Sequence, residues 1–356
     1  MEGNPLRQLV NARVRLVAAL AAVTLGLAAC GGSDDSDSGN DTAAPETSDL
    51  KVGLAYDIGG RGDQSFNDSA AVGLDKAKDE LGLEATESEA GSGEAESAKE
   101  ERLRVLAASG HNPIIAVGFA YSGSITKVAP EFPEVDFAIV DDAAEGENIS
   151  NLLFAEHEGS FLVGAAAALK SKTANVGFIG GVQVPLISKF EVGFTEGAKA
   201  VKPDIKVQSV YLTQPPDFSG FTDPAKGRTA AQGMFDGGAD VVYHAAGGSG
   251  GGLFEAAKAA GGLAIGVDSD QFETAAPDVQ DVILTSMVKR VDVAVFDFLS
   301  RVAEGEVEAG PVVYDLEQGG IDYSTSGGKV DDIKTQLDEY KQQIIDGEIT
   351  VTDPTA

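Results

Sequence analysis

The chain of 356 residues carries 57 acidic against 26 basic side chains, a formal net charge of −31. So acidic a chain excludes nucleic-acid partners, which need a basic face to displace counterions from phosphates. One cysteine and three histidines (His111, His157, His244) leave little for disulfides, Cys-rich metal sites or His-based catalysis. Hydrophobic residues make up 43 %, enough for a sizeable core, and the length fits about two domains.

The first 29 residues read as a leader. Arg7, Arg13 and Arg15 precede an apolar stretch from Leu16 to Ala29. A bilayer-spanning helix needs about 20 apolar residues, so the stretch is a signal h-region and not a span. It ends Leu27-Ala28-Ala29-Cys30, similar to a bacterial lipobox, with the chain's one cysteine at the position that becomes lipidated. Cleavage there removes three arginines and one glutamate and takes the net charge from −31 to −33. Residues 30–49 are rich in Gly, Ser, Asp and Thr without apolar periodicity and read as a disordered tether. Lipid chains on Cys30 would hold the protein to the extracytoplasmic face of the cell membrane.

From Leu50 onward strands and helices alternate. The pattern predicts a strand at 51–57, helices at 66–81 and 94–109, a strand at 113–117, a helix at 121–130 and a strand at 135–140. Residues 151–155 read as a further strand or a first crossing between lobes. The order then restarts: helix 158–170, strand 175–179 closed by Gly180-Gly181, helix 187–201, strand 206–211, helix 224–236, strand 239–243, helix 250–260 and strand 263–267. A last quarter adds strands at 282–286 and 312–316 and helices at 289–304 and 331–345. Two successive β-α series predict an α/β protein with two doubly wound parallel-sheet lobes.

Ligands of open α/β sheets sit beyond the carboxyl ends of the strands. There the sequence places 57–68 (DIGGRGDQSFND), Asp141, the glycine-rich run 246–252 and 268–271 (DSDQ). Carboxylates accept from hydroxyls and an aromatic stacks on a ring, so this set suits a neutral, hydrogen-bonding ligand with a planar part. Enzyme motifs fare worse. Gly247-Gly248-Ser249-Gly250-Gly251 matches G-x-S-x-G, but no histidine follows Ser249 to complete a hydrolase triad. The same loop does not satisfy G-x-G-x-x-G, and neither a phosphate-binding P-loop nor H-E-x-x-H occurs. Asp57, Asp63 and Asp68 lack the glycine and glutamate of a calcium loop, and Glu156-His157-Glu158 reads as surface or hinge hydrogen bonding. Neither a cofactor nor a metal is expected.

Several phrases resemble the basic membrane protein (BMP) family of lipoproteins: residues 59–68, 137–141, 159–164 (GSFLVG), 193–197 (GFTEG), 223–227, 238–243, 265–271 and 286–289. Their order and spacing cover about residues 50–345. The resemblance implies a periplasmic-binding-protein type I fold, with two lobes joined by a three-crossing hinge, and a substrate-binding lipoprotein of an ABC importer related to purine-nucleoside receptors. On this reading the N-terminal lobe is 50–155 plus 285–312 and the C-terminal lobe 156–284 plus 313–350. Phe66, with Asn67 beside it, would stack on the base, and Asp57 and Asp141 would bond the base or its neighbours. Tyr243 would be the second aromatic, with Phe190 behind it. Asp268 and Lys289, with backbone at Gly247 and Gly248, would take the ribose hydroxyls.

The expected function is nucleoside capture without catalysis, by a monomer that delivers its ligand to ABC permease subunits. The same fold would also serve a sugar, another small polar metabolite or a ligand-sensing surface lipoprotein. A nucleoside hydrolase would need a metal or a carboxylate cluster on one loop, and here the candidates are spread across two lobes.

Overall fold

The structure, a computed structural model, describes residues 50–91 and 93–356. The leader, Cys30 and the tether lie outside the described residues.

The first sheet comprises β1 (Lys51–Ala55), β2 (Glu84–Ser88), β3 (Ile114–Val117), β4 (Phe137–Val140), β5 (Ile149–Phe154) and β11 (Gly310–Tyr314). Its order is β11-β5-β4-β3-β1-β2, with every pair parallel. The second comprises β6 (Asn175–Val182), β7 (Lys206–Thr213), β8 (Val241–Ala245), β9 (Leu263–Asp268), β10 (Ile283–Lys289) and β12 (Ile321–Tyr323). Its order is β12-β10-β9-β8-β6-β7, parallel except for β12. Central strands such as β3 (IIAV) and β4 (FAIV) are buried throughout, as expected of strands covered on both faces by helices.

The helices are α1 (Phe66–Leu81), α2 (Glu96–Ala108), α3 (Ser122–Val128), α4 (Glu156–Lys170), α5 (Pro185–Val201), α6 (Pro224–Asp236), α7 (Gly250–Ala260), α8 (Gln271–Thr274), α9 (Val291–Glu304) and α10 (Lys334–Ile345). One apolar core runs through both lobes, and each lobe adds a smaller core on its other face. Helices α4 and α5 approach closely because glycines face backbone. A Cβ at Gly193 would run into the carbonyl oxygen of His157, and one at Gly197 into that of Phe161. The phrases 159–164 and 193–197 are therefore helix-packing signals.

The chain crosses between lobes after Phe154, after Lys289 and after Tyr314. Helix α9 packs on α1 of the first lobe and α4 on α5 of the second. The lobe boundary expected at 285 therefore moves to about 290, because β10 pairs with β9 and β12 up to Lys289. The later boundary moves from 312 to 314, since β11 pairs with β5 through Tyr314. The crossings are tied together: Ala155 N–H donates to Tyr314 O at 3.1 Å, and Arg290 N–H to Gly320 O at 2.8 Å.

Two strands went unread in the sequence. Strand β2 (EATES) is a polar edge strand with no apolar run, and β12 has three residues. Strand β6 continues through Gly180-Gly181, which the sequence reading took as its end. A Cβ at Gly181 would strike the ring of Phe221, so this glycine makes room for an aromatic.

Candidate functional site: a cleft between two lobes

The loop after β1 is built on two aspartates. The Asp63 carboxylate accepts from the backbone N–H of Ser65, Asn67 and Asp68 at 3.0, 2.9 and 3.1 Å. It thereby satisfies donors that the first turn of α1 leaves open. Asp68 accepts from Gly62 N–H and Gln64 N–H at 2.7 and 2.9 Å. Left-handed backbone at Gly59, Gly60, Gly62 and Gln64 lets the loop fold back. The result sets Phe66, the first residue of α1, on the cleft wall.

The cleft amounts to about 580 Å³, counting its part open to solvent. Of the residues expected at the site, Asp57, Phe66, Asn67, Asp141, Gly247, Asp268 and Lys289 line it, and Gly248 does not. Further lining comes from Ile58, Asp63, Phe119, Leu186, Ile187, Phe190, Phe221, Ala245 and Val267.

Tyr243 is not at the cleft, which corrects its expected role. It is fully buried in the second lobe, its ring 5.3 Å from that of Phe194 and 5.6 Å from that of Phe178. Its hydroxyl lies 3.2 Å from Ser160 Oγ. Strand residues alternate between faces, and Tyr243 takes the core side. Phe190 and Phe221 instead bring aromatic surface to the cleft from the second lobe. Asn67 reaches the cleft with its amide committed: Oδ1 accepts from Asp57 N–H at 3.1 Å, and Nδ2 donates to Asp63 and to Ile58 O. It braces the loop.

Asp141 follows β4 and Asp268 ends β9, and both take left-handed backbone, with φ of 73° and 63°. Such strain in a non-glycine residue gathers at functional sites. Lys289, at the end of β10, places Nζ 2.5 Å from Asp141 Oδ2 and 3.1 Å from Glu156 Oε1. Its closest acceptors are thus Asp141 and Glu156. The rings of Phe66, Phe154 and Phe190 surround the ammonium at 5.1, 5.0 and 5.7 Å. Two of its three N–H groups are committed, which leaves one. Asp141 Oδ1 is buried and has no hydrogen-bond partner among the described residues. An acceptor left bare in this way costs free energy until a donor arrives.

Electrostatics follow from burial. Burial pushes Asp57 and Asp268 up to about 6, against a bond from Ile58 N–H to the first and the Lys289 charge near the second. Burial also raises Asp141, with Lys289 opposing and Glu156 reinforcing the rise. Burial pushes Glu156 up too, yet Lys289 and Lys189 together hold it below the usual range. Burial works against the Lys289 charge, but Asp141, Glu156 and Asp268 raise it overall.

The lobes meet across the cleft. Ser65 Oγ donates to Asp268 Oδ2 at 2.5 Å, Ser269 Oγ to Ser65 O at 2.9 Å and Gln271 Nε2 to Gln64 O at 3.0 Å. Phe119 of the first lobe lies 5.9 Å from Phe218 and 6.5 Å from Phe221 of the second, ring to ring. This is a closed conformation. Ser249 of the G-x-S-x-G match is a loop brace: its Oγ donates to Gly220 O at 2.7 Å and accepts from Asp223 N–H at 2.8 Å.

Sequence reasoning missed Phe119, Phe221 and Glu156. The first two were open to the strand-end rule, since they lie in the loops after β3 and β7. Glu156 carries the same signal, just past the end of β5, but reads in the sequence only as surface or hinge hydrogen bonding.

Two parallel-sheet lobes, three crossings and a polar, aromatic-walled cleft between them define a solute-binding protein of the periplasmic-binding-protein type I class. An ABC transporter solute-binding protein from Aeropyrum pernix K1 is similar over 86 % of this chain and 94 % of its own, with a TM-score of 0.75 and 29 % identity. The family is then specific: residues 50–355 match Bmp, ABC transporter substrate-binding protein PnrA-like, and the chain belongs to it. A Listeria innocua protein named CD4+ T-cell-stimulating antigen is 36 % identical over 91 % of this chain and 94 % of its own. The ABC transporter nucleoside-binding protein BmpA of Lactococcus lactis is 34 % identical over 95 % of this chain and 98 % of its own. No helix among the described residues is long and apolar enough to cross a membrane.

Proposed function

We propose that this ABC transporter substrate-binding protein captures a nucleoside in the interlobe cleft, delivers it to a membrane permease and catalyses no reaction. The observation that carries the reading is the cleft itself: aromatic walls beside three buried carboxylates drawn from both lobes, one with an unpartnered oxygen. Phe66 stacks on the base, with Phe190 and Phe221 supplying aromatic surface from the second lobe. Asp57 accepts from the base. Asp268 accepts from ribose hydroxyls, and the free N–H of Lys289 together with Asp141 Oδ1 brackets a hydroxyl, which both accepts and donates. The name of the Lactococcus relative supports this ligand class.

The charge balance favours a nucleoside over a nucleotide. Lys289 is already paired with two carboxylates, so a phosphate would meet Asp57, Asp141 and Asp268 with no spare cation. Closure follows if the ligand binds the closed form better, because it then shifts the open–closed population.

Calorimetric titration of the chain, unfolded and refolded to strip carried-over ligand, tests this with inosine, adenosine, uridine, hypoxanthine, inosine monophosphate, ribose and glucose. Nucleosides should bind, with the free base and the monophosphate much weaker. Binding of glucose, or of none of these, would overturn the nucleoside reading. Lipid attachment at Cys30 is part of the same proposal. Mass spectrometry of the membrane-extracted protein should find acyl chains on Cys30, and Cys30→Ser should release the protein from membranes.

A further inference from the structure

The three crossings converge on the first turn of α4. Glu156, the first residue of that helix, is fully buried immediately after the first crossing. Its oxygens are divided between two lysines. Oε1 accepts from Lys289 at 3.1 Å and Oε2 from Lys189 at 2.9 Å. Lys189, on α5, also donates to Phe154 O at 3.0 Å and lies 3.8 Å from Asp353. Asp353, Lys189, Glu156, Lys289 and Asp141 thus form a line of alternating charge through the hinge into the cleft. The nucleoside reading uses only the last two.

We propose that Glu156, held in place by Lys189, is a positioning residue that fixes the Lys289 ammonium between the lobes, where Asp141 and the bound ligand share it. The inference rests on the reading of the cleft as a nucleoside site. An ammonium pulled by Asp141 alone would close into a private ion pair with it. An ammonium pulled harder by Glu156 would leave Asp141. Either shift spoils the donor–acceptor couple that a hydroxyl needs. Lys289 is 1 % exposed, so bulk solvent does little to restore the balance.

The two ends of the device act oppositely on one atom group. Asp141 faces Lys289 from β10, Glu156 from α4 and Asp268 from the end of β9. Glu156 faces Lys289 and Lys189, with the Tyr243 hydroxyl and His157 as its titratable neighbours, and Asp353 faces Lys189 and His157. Removing the Glu156 charge gives Lys289 wholly to Asp141 and favours its carboxylate. Removing the Lys189 charge leaves Glu156 competing harder for Lys289 and favours protonated Asp141.

The test is carbon-13 NMR of the aspartate carboxyls in the ligand-free full chain, with Asp141 assigned by Asp141→Asn. Parent, Glu156→Gln and Lys189→Met are compared, followed by inosine titration of each. The Asp141 midpoint should move to lower pH in Glu156→Gln and to higher pH in Lys189→Met. Each variant should bind inosine about tenfold or more weakly, the scale of a lost charge-assisted hydrogen bond. Unmoved midpoints, or movement in the same direction, would overturn the proposal. If Glu156→Gln does not give the parent circular dichroism spectrum, Lys189→Met carries the test alone, and an unmoved midpoint there overturns it. Opposite movements in a parent chain that binds no inosine would support the positioning role and overturn the nucleoside reading.

Discussion

Asp141 and Asp268 are counterparts in the two lobes. Asp141 follows β4 and Asp268 ends the matching strand β9, each with a buried side chain and a left-handed backbone. They differ in who holds them. Asp268 of the second lobe receives a neutral hydroxyl from Ser65 of the first, whereas Asp141 of the first lobe receives an ammonium from Lys289 of the second. Each lobe thus orients the acceptor of the other, and both acceptors are fully formed only when the lobes meet. The difference in charge sets what each can do. Asp268 is an acceptor for hydroxyls, while Asp141 and Lys289 together form a donor–acceptor couple.

Breaking the charged side of this comparison should have the largest effect. Lys289→Met leaves Asp141 and Glu156 buried without their shared cation, a loss of about 3–5 kcal/mol. Urea unfolding should show it, and inosine binding should disappear. On the neutral side, Asp268→Ala should weaken inosine about a hundredfold and Ser65→Ala about tenfold, on the scale of hydrogen bonds to charged groups. Equal affinities for Ser65→Ala and the parent would mean that the cross-lobe bond does not orient Asp268.

Acid sharpens the comparison without mutation. Asp57 and Asp268 are pushed up from 3.8 to about 6 by burial. A proton on either carboxyl competes with the ligand's donor, so affinity should hold above pH 7 and fall as pH drops through about 6. Calorimetry across that window would show the sign, and affinity that rises on acidification would contradict it. The smallest effect is expected from Tyr243→Phe. It removes only the contact with Ser160 in the core, so stability should fall by about 1 kcal/mol and affinity should not change.

The lobes were legible because their central strands are continuous apolar runs between helical periods, as in β3 and β4. Strand β2 was not, because an edge strand presents polar side chains to water and mimics a loop. At the cleft, the strand-end rule led to Asp57, Asp141, Gly247 and Asp268. The resemblance failed for Tyr243, where one residue along a strand decides between core and cleft. Glu156 was hidden for a different reason. Followed directly by His157 and Glu158, it reads as a surface or hinge hydrogen-bonding group, and its burial depends on Lys189 and Lys289, which are 33 and 133 residues away. Asn67 shows the converse: a polar residue in the right loop whose amide is spent inside that loop.

The most direct test is a crystal structure of the protein with inosine. The account predicts the base against Phe66, ribose hydroxyls on Asp268 and a ligand hydroxyl between Lys289 Nζ and Asp141 Oδ1. A ligand that leaves Asp141 Oδ1 unpartnered, or that contacts only one lobe, would contradict it.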